Sequence, residues 1–352
     1  MAPSVPPADD PTGIFLWEER LRSVPGWLAQ MRTEERPEPE ALDRGAAIVC
    51  SGLGSSEGHA RFCNTLLQKS GHRSRFMSVD TAFQGDGTVE SGTTLIHFSQ
   101  GLSPNAQILL RRRQWFGRVL LFTACTEESL TAAGKADRAA LLRELQEAGV
   151  ELWPLAPAEE FTLLIRCLGP LDGYLEVMRA GSRLGFPAEL PDAAALEQTL
   201  SEALREGMEL GGRMKTPLTV VLPGGIAEYA QNLGYKWVEG LFEEPPLVTD
   251  PLTLVHGGFQ LRCHRPGDLL YLQCAGGGPD LAGRLEALWR KTGGAFFSAT
   301  APWAEPAAIL FFEHLLNGVV WRRARDLGVN QIDWPGKGRD GEVYGLNRPD
   351  RK

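Results

Sequence analysis

Short apolar runs alternate with amphipathic stretches along most of this 352-residue chain, and they do so twice in the same order. The first series opens on AAIVCSG, an apolar run that ends in a glycine turn. A helix-period stretch from Glu57 to Ser70 follows, closed by Gly71. Further strands are predicted at Ser74 to Val79, Thr94 to Phe98, Arg118 to Thr123 and Glu151 to Leu155. Between them lie helical stretches at Asn105 to Trp115 and Lys135 to Ala148. The series restarts near Pro217, where LTVVLPGGIAEYAQNLGYKWVEGLF reads as strand, glycine turn and helix. Strands at Leu252 to Val255, Asp268 to Gln273 and Ala295 to Ser298 continue it, with helices at Leu281 to Lys291 and Pro306 to Leu327. Apolar strands separated by helices imply a parallel sheet covered on both faces. The fold class is therefore α/β, built as a domain-sized duplication rather than a short solenoid repeat.

The segments outside the two series set the domain limits. Residues 1 to 13 are proline-rich and acidic and read as disordered. Ile14 to Met31 reads as an amphipathic helix interrupted near Pro25. The expected organisation is an extension with a leading helix over 1–44, a first domain over 45–183, a linker helix over 184–212, a second domain over 213–329 and a tail over 330–352. Residues 158–183 and 192–210 read as helical and would bridge two lobes.

Several function classes fall away on composition. With 43% hydrophobic and 23% charged residues the chain suits a globular protein with a large core. A net charge of −8 argues against nucleic-acid binding, and the run Arg111-Arg-Arg113 reads as a solvated helix end. No apolar leader or membrane-length run is visible, so a cytoplasmic chain without membrane contact is expected. The six cysteines are scattered without a CxxC pair, which suits neither a zinc site nor a disulfide framework, and no metal is expected.

The turn in IVCSGLGSSEGHA carries the chemistry of the first half, because ligands of open parallel sheets bind at the carboxyl ends of strands. Gly52, Gly54 and Gly58, with Asp80 after the next strand, match a variant dinucleotide fingerprint. Two features oppose that reading. Ser55 and Ser56 add adjacent hydroxyls that a dinucleotide does not need, and His97-Phe-Ser-Gln-Gly-Leu-Ser-Pro-Asn105 supplies a second polar turn. Ser55, Ser56 and nearby backbone N–H groups would form an anion or hydroxyl cradle, completed by Ser99, Gln100, Gly101 and Ser103. The bland alternative is helix capping by one serine. His59 and His97 are assigned structural roles.

From about residue 15 to 340 the chain resembles the sugar isomerase (SIS) domain family, most closely its two-lobed members. Ile14-Phe-Leu-Trp-Glu-Glu-Arg with Val24-Pro25 is similar to the family's leading helix, and Ser51-Gly-Leu-Gly-Ser-Ser56 to its phosphate loop. Leu95-Ile-His-Phe-Ser-Gln-Gly-Leu-Ser-Pro-Asn105 lies where the family has a second serine-rich turn, although Phe98 and Gln100 replace its two leading serines. Glu239 in Tyr235-Lys-Trp-Val-Glu-Gly240 takes the place of the family's catalytic glutamate, and His256 in Val255-His-Gly-Gly258 that of its histidine.

The resemblance implies two flavodoxin-like αβα lobes. It also implies a sugar or sugar-phosphate ligand, a homodimer, and aldose–ketose isomerisation through an enediol without metal or nicotinamide. A partly shielded carboxylate can serve as base near neutral pH, which is the role expected of Glu239. His256 would exchange protons in ring opening. Lys337, in Asp333-Trp-Pro-Gly-Lys337, matches a tail lysine used by some members. Two other classes stay open: a deglycase or lyase acting on a C–N or C–O bond of a sugar, and a sugar sensor without activity.

Overall fold

The computed structural model describes residues 10–36, 40–85, 89–157, 162–230, 232–276 and 281–346. The chain forms two compact units. The first lobe comprises Glu34–Glu159, Leu168–Ala188 and Pro335–Lys352. The second comprises Met1–Thr33, Glu160–Cys167 and Glu189–Trp334, so it takes in both the leading helix and the helix after the first domain.

The first lobe holds a parallel sheet of five strands: β1 (Ile48–Gly52), β2 (Ser74–Phe76), β3 (Thr94–Phe98), β4 (Arg118–Thr123) and β5 (Glu151–Pro154). Their spatial order is β2-β1-β3-β4-β5. Every residue of β1 and β3 is buried, which is why the two central strands read as unbroken apolar runs while the edges are weaker. The core around Leu95, Leu121 and Leu142 fills one side of this sheet. The expected helix over 158–183 forms only as Leu168–Leu184. Residues 158–161 lie outside the described segments, and 162–167 follow an irregular bend.

The second lobe repeats the plan with four parallel strands: β6 (Leu218–Val221), β7 (Leu247–Thr249), β8 (Asp268–Cys274) and β9 (Phe296–Ala301). Their order is β7-β6-β8-β9, the same sequence of placements as in the first sheet. Helix Ile14–Thr33 packs against helices Ala193–Gly211 and Ala308–Leu327. Pro25 does not interrupt it. Burial of Trp17, Leu21 and Leu28 offsets the missing hydrogen bond, and Asp10 caps the first turn by accepting from Ile14, Phe15 and Leu16 N–H at 3.0–3.1 Å.

The strand expected at Leu252 to Val255 is absent. Asp250 instead accepts from the N–H groups of Leu252 and Thr253 at 2.8 and 2.9 Å, and Pro251 occupies the first helical position. Those two helix-starting devices outweigh the apolar character of TLV, and the strand of this region sits earlier, at Leu247–Thr249. The expected disorder of residues 1 to 13 falls mostly outside the described residues.

Candidate functional site

In the first sheet the chain leaves β1 toward β2 and leaves β3 toward β4, on opposite sides. The carboxyl ends of β1 and β3 therefore flank the point where strand order reverses, the usual ligand position of such a sheet. Gly52 pairs with Phe98 in the register, so the turns that follow them are neighbours. Gly54, Ser55 and Ser56 follow Gly52 in the first turn, and Ser99, Gln100, Gly101 and Ser103 follow Phe98 in the second. A Cβ on Gly52 would lie 2.3 Å from the Ser56 carbonyl oxygen, so the first turn closes only around glycine. The serines are not the helix cap. Gly54 is the N-cap of helix Ser55–Lys69 and no side chain caps it, which leaves Ser55 exposed and Ser56 nearly buried in the first turn.

The second turn is braced on every side. Ser99 N–H donates to the Phe122 carbonyl at 3.0 Å, and Ala124 N–H donates to the Gln100 carbonyl at 3.1 Å. Arg138 donates to the Gly101 carbonyl at 2.8 Å, and Gln107 Nε2 to the Leu102 carbonyl at 3.0 Å. Ser103 receives the Gln107 N–H on its carbonyl at 3.2 Å. The Gln100 amide lies over the helix starting at Leu168, where a Cβ on Gly169 would be 2.3 Å from its Nε2. Fully buried His97 bonds the Ala106 carbonyl at 3.0 Å through Nε2, and burial pushes its pKa down to about 4. His59 bonds the Pro170 carbonyl at 2.8 Å and sits edge-on to Tyr174. Both histidines brace the turns from below. Asn105 donates to the Val343 carbonyl at 2.9 Å and accepts from Leu346 N–H at 3.3 Å, clasping the tail to this turn. Lys337 is exposed in a turn of the same tail.

Glu239 and His256 belong to the second lobe and stand on separate elements. Glu239 is exposed on helix Asn232–Leu241. Crowding by protein pushes its carboxyl pKa up, Lys236 and Arg166 oppose that, and Glu313 reinforces it. Because the residue is exposed, solvent screening keeps the shift modest. His256 is exposed in the turn Leu254–Gly258, outside helical backbone geometry at φ −97° and ψ 53°. Gly257 follows at φ +120°, a conformation that favours glycine, so the pair presents the imidazole at a break in the helix.

Sequence reasoning missed several partners of these residues. Lys236, one turn before Glu239, is buried and forms an ion pair with buried Glu313. Its Nζ also donates to Asn317 Oδ1 at 2.6 Å. The i,i+3 spacing of Lys236 and Glu239 was a legible signal. Glu313 and Asn317, in an apolar helix 77 and 81 residues beyond Lys236, gave none. Arg138 was equally silent. Among the described residues no cluster of three or more His, Cys, Asp or Glu side chains could hold a metal, and no helix is long and apolar enough to cross a membrane.

No protein-family model matches the chain, and no curated protein matches it. Solved structures do resemble it in fold. The C-terminal domain of glucosamine-fructose-6-phosphate aminotransferase from Francisella tularensis superposes with a TM-score of 0.62 at 12% identity, over 91% of this chain and 98% of the other. Glucosamine-6-phosphate deaminase from Thermotoga maritima gives 0.65 at 13% identity, over 92% and 97%. Tagatose-6-phosphate ketose/aldose isomerase from Escherichia coli gives 0.56 at 12% identity, over 90% and 94%. The chain shares its fold with these three proteins.

Proposed function

We propose that the chain binds a sugar phosphate at the paired turns of the first sheet and isomerises it between aldose and ketose. The observation that carries this reading is the adjacency of two polar turns at the ends of β1 and β3, with Arg138 fixed to Gly101. The family-like serines are missing from the second turn, and the guanidinium brings a positive charge to the same place. A cation there favours an anionic ligand end over a neutral one. The fold relatives named above are proteins of hexosamine and hexose phosphates, which supports the same ligand class.

In the reaction His256 would give a proton to the ring oxygen and take one from the anomeric hydroxyl, releasing the open chain. Glu239, whose carboxyl pKa is raised by the crowding of protein around it, would then take the proton from C2 of the aldose or C1 of the ketose. The electron pair moves to the neighbouring carbonyl to give an enediolate, and the proton of the adjacent hydroxyl passes from its oxygen to the oxyanion. Return of the proton to the other carbon completes the isomerisation. Lys337 is assigned to the enediol oxygen as a cation. Leu252, Val255 and Leu261 are exposed around His256, which supports a homodimer that covers this face.

A thermal-shift panel of fructose 6-phosphate, glucose 6-phosphate and the unphosphorylated sugars tests the ligand class. Phosphorylated ligands should raise the melting temperature, and Arg138→Gln should weaken that response by about tenfold. Equal stabilisation by fructose and fructose 6-phosphate would rule out the phosphate reading.

A further inference from the structure

Helix Leu168–Leu184 meets both turns of the first sheet at two bare positions one helical turn apart. A Cβ on Gly169 would lie 2.3 Å from Gln100 Nε2, 2.4 Å from its Oε1 and 2.6 Å from its Cδ. A Cβ on Gly173 would lie 2.2 Å from His59 Cε1 and 2.4 Å from its Nδ1. Packed side chains do not come so close, so each seat depends on glycine. The first seat takes the turn after β3, through Gln100. The second takes helix Ser55–Lys69, which opens from the turn after β1, through His59. His59 is also tied to this helix by its bond to the Pro170 carbonyl at 2.8 Å. Gln100 is held differently. Its carbonyl accepts from Ala124 N–H at 3.1 Å and from Cys125 Sγ at 3.4 Å, so its backbone is pinned while its side chain can move. Among the described residues, nothing beyond the chain neighbours comes within 4 Å of where a Cβ on Gly101 would stand. The same holds at Gly54 in the first turn. Open space therefore borders a glycine of each turn.

We infer that Gly169 is a positioning residue of the ligand site: its bare face stores the Gln100 amide against the helix and leaves the space over Gly101 to the ligand. This rests on the reading of the paired turns as the sugar-phosphate site. A methyl group at position 169 would meet the far end of a flexible side chain rather than backbone, so the amide yields and the helix stays. The open side of the turn receives it, and there it competes with the ligand for room. Proton transfer is assigned to residues of the second lobe, so the loss falls on binding rather than on turnover.

The test is calorimetric titration of fructose 6-phosphate, or of glucose 6-phosphate where that binds more tightly, into the full chain. It compares wild type, Gly169→Ala, Gln100→Ala and the double variant, with deuterium exchange at saturating ligand as the rate. Gly169→Ala should raise Kd by about tenfold or more, with the saturated rate within about twofold of wild type. In the Gln100→Ala background the same substitution should change Kd by less than about twofold, because no amide is left to displace. An unchanged Kd in Gly169→Ala overturns the inference, and so does a loss that persists in the Gln100→Ala background. Wild type alone decides the matter if Gly169→Ala does not fold. Its Gln100 side-chain amide should keep a nuclear Overhauser contact with the Gly169 Hα protons when the ligand is added, and loss of that contact on binding overturns the inference. If wild type binds neither sugar phosphate, the ligand reading fails by itself. The seat is then judged on the free protein, where Gly169→Ala should shift the Gln100 side-chain amide resonances and leave the Ala124 N–H in place. Unmoved side-chain resonances would show that this helix face stores nothing.

Discussion

His97 shows how one side chain can serve the site without touching a ligand. It lies inside β3, bonds the Ala106 carbonyl, and stays neutral because burial holds its pKa near 4. In the unfolded chain the same imidazole titrates near 6.5. As pH falls from 6.5 toward 4 the unfolded state takes up a proton that the folded state refuses, so stability is lost through that window. The stability gap between wild type and His97→Gln should therefore shrink by about 3 kcal/mol between pH 6.5 and 4. Urea unfolding at both ends of the window measures it, and a pH-independent gap would contradict the assignment. The structural role of this histidine was legible in the sequence, since a lone histidine in an apolar strand is a core residue first. Its partner was not, because the Ala106 carbonyl is brought to it by a turn whose path no local pattern encodes.

At the scale of elements, the glycine turns and central strands were plain in the sequence because each is a local pattern. Gly52 had to be glycine for a reason found within four residues of it. The failures have the opposite character. LTLV, residues 252–255, reads as a strand because apolar and β-branched residues favour one, but Asp250 and Pro251 start a helix there. The Lys236–Glu313 pair was invisible because it joins two helices distant in sequence. Both side chains are buried, so removing one leaves an uncompensated charge. Glu313→Ala should cost about 3–5 kcal/mol of unfolding free energy, and Lys236→Met combined with Glu313→Leu should recover most of it. A double variant as unstable as the single one would show that packing of this helix pair, not the charge, sets the loss.

For the molecule as a whole, duplication explains why the two sheets share one order of strands. The second lobe carries the proposed proton-transfer residues and an exposed apolar face at Leu252, Val255 and Leu261. If that face is covered by a second copy, Leu252→Glu with Val255→Glu should shift the mass measured by light scattering from dimer to monomer. Unaltered mass would place the interface elsewhere. The central claim is proton transfer at the carbonyl end of a sugar phosphate with Glu239 as base. Its most direct test is deuterium incorporation in heavy water, followed by proton NMR on fructose 6-phosphate, glucosamine 6-phosphate and tagatose 6-phosphate. Wild type should exchange the proton next to the carbonyl of at least one of them, and Glu239→Gln should slow that exchange by about a hundredfold or more while still binding it. A sugar phosphate that binds the wild-type protein but exchanges no proton, across the whole set, would contradict it.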